Sequence, residues 1–189
     1  MKAVLVTNLG HSDLQLKADI PSWGFGLTAH DGLRQYVPGD HLRELAERMQ
    51  AAESAELRAL GLPFDLPLLR AYIQFIRSIP MGEGNAQLDR IYLIGSEQGD
   101  IVHKKGDTYP LAKALKKHSA ILGLPPVKPY ALECDPSDWS GVFDEMEKLA
   151  GAISRDIKKI GDEVVVYVGL SGGTQHMNAA LMMAGADVL

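Results

Sequence analysis

Residues 164–186, VVVYVGLSGGTQHMNAALMMAGA, change character abruptly at Gly169. A run of β-branched residues ends there, a Ser-Gly-Gly-Thr turn follows, and a stretch rich in Ala, Met and Leu begins. The first part predicts a buried strand and the last part predicts a helix. A strand that ends in glycines at the N-terminus of a helix is a typical anion site. The stretch therefore indicates both a fold class and a place to look for a ligand.

The composition indicates one globular domain over residues 1–189. The chain has 189 residues, of which 46% are hydrophobic, enough for one sizeable core. Its formal net charge of -5 argues against a broad electrostatic grip on DNA or RNA. The single cysteine, Cys134, excludes an intrachain disulfide framework and a Cys-rich zinc site, and we expect it to be a small buried apolar residue. We predict no metal and no cofactor.

The two ends of the sequence support two further expectations. The first 13 residues contain too few apolar residues for a signal peptide. No stretch approaches the roughly 18 apolar residues of a membrane span. We therefore expect a cytoplasmic protein without membrane contact. Val188 and Leu189 predict the start of another strand, so we expect the chain to be the N-terminal part of a longer protein.

Strand and helix patterns alternate along the chain, which favours a mostly parallel sheet with helices on both faces. This is a Rossmann-like α/β fold. Pro129 favours a strand end or a strand at the sheet edge, and Asp135-Pro136 predicts an N-cap and first helical residue. The expected strands are residues 3–7, 90–94, 127–132 and 164–169. The expected helices are residues 41–60, 64–79, 107–122, 135–161 and the stretch after Thr174. Gly39-Asp40 is the expected cap of the first of these helices. Residues 17–40 show no clear period and predict a lid or an irregular insertion.

Known glycine motifs fit the last turn poorly. Gly169, Ser171 and Gly173 match the G-x-S-x-G pattern of serine hydrolases, but only His176 follows, within the same helix. No lysine follows the glycines as a P-loop requires, and the dinucleotide pattern G-x-G-x-x-G is absent after the first strand. A tight turn with a helix cap and no ligand remains an alternative.

A site built from backbone N–H donors fits better. Donor-rich turns follow every expected strand except the one that contains Pro129, and these turns lie at the same edge of the sheet. Glycines let the last turn approach a ligand closely, and either Ser171 or Thr174 can cap the helix or bond a phosphate. Gln175 and Asn178 lie three residues apart, so their amides can read a base edge. The turns at Asn8–Asp13 and Glu97-Gln98 add amide, hydroxyl and carboxylate groups, which suits a nucleotide-like ligand.

Several stretches resemble the CARF domains, the CRISPR-associated Rossmann-fold sensors of type III systems. They are VLVTNLGHSDLQL, IYLIGSEQGD with DTYPLAKAL, and VYVGLSGGTQHMNAALMMAGA. The resemblance implies a homodimer whose sheet edges form one pocket for a cyclic oligoadenylate of four or six units, and a fused C-terminal effector that binding controls. The ligand-binding residues that it implies are Asn8, Leu9, Gly10, His11, Ser12, Glu97, Gln98, Ser171, Gly172, Gly173, Thr174, Gln175 and Asn178.

Other functions stay open at this point. The family includes slow ring nucleases, for which His11, Ser12 and His103 are candidate helpers, although no catalytic residue is assigned. Lys104, Lys105 and Arg34 are candidate phosphate partners or plain surface charges. A Rossmann-like mononucleotide enzyme, a serine hydrolase and a structural dimerisation module are the alternatives. For Ala179, Ala180, Met182 and Met183, two alternatives stay open: a contribution to the dimer seam, and ordinary packing of their helix against the sheet.

Overall fold

The computed structural model describes residues 1–10, 13–16, 35–36, 41–59, 64–81, 84–99, 104–161 and 163–188. Its strands are β1 (Lys2–Asn8), β2 (Gln15–Leu16), β3 (Gln35–Tyr36), β4 (Phe64–Asp65), β5 (Pro80–Met81), β6 (Gly84–Asn85), β7 (Gln87–Ser96), β8 (Val127–Leu132) and β9 (Val164–Gly169). Its α-helices are α1 (Leu42–Ala51), α2 (Ser54–Ala59), α3 (Pro67–Ser78), α4 (Tyr109–His118), α5 (Trp139–Ile157) and α6 (Gln175–Val188).

The main sheet has four strands in the order β8-β7-β1-β9, and every pair is parallel. Helices cover both faces. One core joins Leu5 and Ile91 to α1, α3 and α4, and the other joins Val4 and Tyr92 to α5 and α6. The predicted Rossmann-like α/β class is confirmed, and Pro129 does lie on an edge strand of this sheet.

Several local predictions are wrong where tertiary contacts outweigh the local pattern. The helix expected over 41–60 divides at Ala52, whose extended backbone ends α1, and the N-cap of α1 is His41. The helix expected from Phe64 begins only at Pro67, because Phe64 and Asp65 pair with β2. Val188 belongs to α6 and does not start a strand.

The stretch after β8 also differs from its prediction. Asp135 does not cap α5; its carboxylate accepts hydrogen bonds from the backbone N–H (2.8 Å) and hydroxyl (2.7 Å) of Ser137. This local turn delays the helix, so Asp138 is the N-cap and Trp139 is the first helical residue. Cys134 is half-buried rather than fully buried, and burial raises the pKa of its thiol to about 12.

Outside the described residues lie the predicted cap at Gly39-Asp40 and all but two residues of the segment 17–40. The two exceptions form β3, which joins β2 and β4 in a small antiparallel sheet. In the part of the chain that is described, no helix combines the length and apolarity needed to cross a membrane.

A buried carboxylate anchors α5 to the middle of the sheet. Asp156 accepts the hydroxyl of Tyr92 at 2.9 Å and lies 3.0 Å from the ammonium of Lys128. Burial works against the charge of this carboxylate, but Lys128 and Tyr92 outweigh it and hold the pKa of Asp156 below the usual 3.8. The ionised carboxylate therefore stabilises the fold at neutral pH.

We expect Asp156→Asn to lower the free energy of unfolding by about 2 kcal/mol at pH 7, because it weakens hydrogen bonds to a charged acceptor. Since the folded pKa is depressed, this contribution is present above pH 3.8 and is lost as the pH falls through the folded value. Urea denaturation at pH 7 and pH 3 measures it, and exposed Asp144→Asn on the same helix is the control. A loss of stability that is equal at both pH values contradicts the assignment.

Candidate functional site

The strand order creates a crevice between β1 and β9. The chain runs outward from β1 to β7 and β8, and α5 then returns it to β9 on the other side of β1. The segment after β1 leads to the helices of one face, whereas α6 packs on the opposite face. In open α/β sheets ligands bind at such a switch point, outside the carboxyl ends of the strands.

The loops that follow β1 and β9 touch through their backbones. A Cβ atom on Gly172 would lie 2.1 Å from the carbonyl oxygen of Asn8, and one on Gly10 would lie 2.7 Å from the backbone nitrogen of Gly173. Gly173 itself has a φ of 72°, in the left-handed region that favours glycine. Gly10 and Gly172 therefore pack the two loops together, whether or not a ligand also approaches Gly172.

A cleft of about 590 Å³ opens beside these loops. The structure brings six of the predicted ligand-binding residues to its wall: Leu9, Gly10, Gln98, Gly173, Thr174 and Gln175. The other lining residues were not among the predicted ligand-binding residues; they are Ser96, Gly106, Thr108, Asp135, Pro136, Ser137 and Met177. Asp135–Ser137 follow β8, so the segments at or after the carboxyl ends of all four strands line one cleft.

The N-terminus of α6 faces the cleft with a well-defined cap. The hydroxyl oxygen of Thr174 accepts the backbone N–H of Met177 at 3.2 Å, which confirms the prediction that Ser171 or Thr174 caps the helix. The same hydroxyl donates to the carbonyl of Pro136 at 2.9 Å. The backbone N–H groups of the first turn, at Gln175 and His176, have no acceptor within the helix. They form the positive end of the helix dipole beside the cleft.

Glu97 and Gln98 lie in a network around Arg43, a residue that the sequence did not single out. The Arg43 guanidinium lies 2.6 Å from the Glu97 carboxylate and 2.8 Å from that of Asp107. Burial opposes its charge, but both carboxylates outweigh burial and raise the pKa of Arg43. The Gln98 backbone N–H donates to Asp107 at 2.9 Å, and Gln98 is one of the residues that line the cleft. Glu97 is thus ion-paired and does not line the cleft.

Asn8 and Asn178 pair with each other below the cleft. The Asn8 amide nitrogen donates to the side-chain oxygen of Asn178 at 3.0 Å, and Asn8 is only 1% exposed. The side-chain oxygen of Asn8 has no hydrogen-bond partner among the described residues. This pair ties the end of β1 to the first turn of α6, and neither residue lines the cleft.

Ser171 is held by Tyr72 on α3, a second residue that sequence reasoning missed. The Ser171 backbone N–H donates to the Tyr72 hydroxyl at 2.9 Å, and the two hydroxyl groups also bond each other. The His176 ring lies edge-on to Trp139, with 5.4 Å between the ring centroids, and no hydrogen bond joins it to Ser171. Ser171 and His176 are therefore not arranged as a nucleophile and its base, so the geometry does not favour the hydrolase alternative.

The remaining candidates divide into two groups. His11, Ser12, Arg34 and His103 lie outside the described residues. Lys104 and Lys105 form a short 3₁₀ turn with Gly106, and only Gly106 reaches the cleft. Across the ranges that the structure describes, no group of three or more His, Cys, Asp or Glu side chains is arranged to hold a metal ion.

No protein-family model matches the chain, and no curated protein matches it. The resemblance to CARF domains therefore stays a prediction from the sequence motifs.

We expect Gly172→Ala to lower the free energy of unfolding by about 2–3 kcal/mol, because its methyl group meets the Asn8 carbonyl and the two loops must separate. This corresponds to a fall in melting temperature of roughly 5–10 °C for a domain of this size. The control is Gly99→Ala, since a Cβ at Gly99 meets nothing within 4 Å. Equal melting temperatures for the two variants contradict the backbone contact.

Proposed function

We propose that this chain is a CARF-type sensor domain that binds a cyclic oligoadenylate and thereby controls a fused effector in type III CRISPR antiviral defence. The observation that carries the proposal is the cleft itself. The capped N-terminus of α6, the residues Gln98 and Gln175, and the segments that follow all four strands meet there. In this proposal the protein acts in the cytoplasm, and the sensor domain needs no catalytic activity of its own.

The chemistry of the cleft suits a nucleotide. Free backbone N–H groups and the helix dipole at α6 favour a phosphate by about 0.3–1 kcal/mol per helix end, and each direct hydrogen bond adds to this. The amides of Gln98 and Gln175 each offer a donor pair and an acceptor, which match the edge of an adenine ring. The Asp135 carboxylate in the same wall accepts hydrogen bonds and repels phosphate. We therefore place phosphate on the α6 side of the cleft.

The proposed ring, rather than the cleft alone, requires a site shared by two copies of the chain. A volume of about 590 Å³ is typical of a small-molecule site. A ring of four or six adenylates is several times larger than one nucleotide and extends beyond a single cleft. Two clefts related by a two-fold axis double the helix N-termini around one ring. Of the α6 residues considered for the seam, Ala180 packs in the core, whereas Met182 and Met183 are exposed and available for a partner.

The main alternative is a Rossmann-like enzyme that binds one mononucleotide, which the volume of the single cleft also fits. Stoichiometry separates the two functions. A sensor binds one ring per two chains, whereas the enzyme binds one nucleotide per chain. Calorimetric titration with cyclic tri-, tetra- and hexa-adenylate, with linear oligoadenylate and AMP as comparisons, decides between them. Saturation by AMP at one per chain, without binding of any ring, overturns the sensor proposal.

We expect Gln175→Glu to weaken ring binding about fivefold, because a unit charge about 4 Å from a phosphate in water costs about 1 kcal/mol. The same change favours the helix dipole at the start of α6, so the fold is not destabilised. Gln74→Glu, an exposed position on α3, makes the same change of net charge away from the cleft. If both variants bind the ring equally well, phosphate does not lie at the α6 N-terminus.

A further inference from the structure

Trp139 is an unusual residue for its position. It begins α5 and is 49% exposed, although tryptophan is highly buried on average in proteins. Its indole is nevertheless fixed. The Phe143 ring packs one turn along α5 at 5.6 Å between centroids and a tilt of 45°, and the His176 ring lies 5.4 Å away at 72°. The indole thus packs against two neighbouring rings while about half of the residue stays open to solvent.

Trp139 lies close in the chain to residues that line the cleft. Ser137, two residues before Trp139, lines the cleft, and so does Gln175, the neighbour of His176. The segment before α5 and the first turn of α6 therefore form a rim, and Trp139 and His176 lie next to that rim where the two helices begin. Trp139 does not line the cleft itself, but a planar group that extended out of the cleft across this rim would reach the start of α5.

We propose that Trp139 is the stacking platform for an adenine ring of the bound ligand, an inference that rests on the proposed function. Stacking is the interaction by which proteins hold bases whose edges are read by only a few hydrogen bonds. The adjacent Gln175 amide can bond the edge of the same base. Because Phe143 and His176 already hold the indole, little side-chain freedom is lost on binding.

The test measures ring binding by the full chain and by variants of one aromatic residue. We expect Trp139→Ala to weaken binding of the ring that the parent binds by about 5- to 150-fold, the usual range for loss of one base–aromatic stack. Trp139→Phe should restore most of the affinity because it keeps an aromatic face. Trp139→Leu keeps apolar packing without that face and should bind as poorly as Trp139→Ala. Phe75→Ala, an exposed aromatic on α3, is the control.

Fluorescence gives a second readout that a merely structural role does not move. The chain has two tryptophans, so Trp23→Phe leaves Trp139 as the only indole. We expect its emission to be quenched as the ring saturates the protein, because a stacked purine contacts the excited ring directly. Quenching at the affinity measured by calorimetry supports the platform.

The outcomes are distinguishable. If the parent binds no ring and no linear adenylate, the proposed function fails and the platform fails with it. If the parent binds a ring while Trp139→Ala and Trp139→Leu bind within twofold of it, the platform is wrong and the sensor proposal stands. If these variants differ from the parent in the molar mass measured by light scattering without ligand, Trp139 belongs to a protein–protein surface. That result also overturns the platform.

Discussion

The contact between the backbones after β1 and β9 is the constraint on which the rest of the site depends. The carbonyl of Asn8 and the backbone at Gly172 approach so closely that no side chain fits between them. This contact sets the separation of the two loops at the switch point. The separation in turn places Thr174, and with it the first turn of α6, against the cleft. The same glycine pattern that suggests a ligand site is thus required by packing alone.

The chain is acidic, yet the edge of its sheet is arranged so that a local anion site is compatible with that charge. The carboxylates near the cleft are largely engaged with protein donors. Asp13 accepts the N–H of Gly10 at 2.6 Å, and Asp107 accepts both Arg43 and the N–H of Gln98. These bonds keep negative charge close to fixed donors and hold the loops in place. The donors of the α6 N-terminus remain on the cleft side.

The parallel sheet, its proline-containing edge strand and the position of the candidate site could be predicted because each depends on a local signal. Buried apolar runs mark the strands, and parallel strands bring their carboxyl ends to one edge. Arg43 and Tyr72 could not be predicted, because each reaches the site from a helix whose approach is set by packing in the core. The helix start predicted at Phe64 was wrong for a similar reason, since the strand that contains Phe64 exists only through pairing with β2. The family, the dimer and the effector remain predictions.

The place of β1 in the sheet has a consequence for how the protein is made. Residues 2–7 pair on one side with residues 164–169, so a central strand synthesised first receives its second neighbour about 160 residues later. At ribosomal rates of about 5–20 residues per second, that delay is on the order of ten to thirty seconds. Throughout it, one edge of an apolar strand has no partner from this sheet, which is the condition that favours pairing between nascent chains. Shielding by a chaperone during synthesis therefore matters more for this fold than for one that closes its sheet through neighbouring strands.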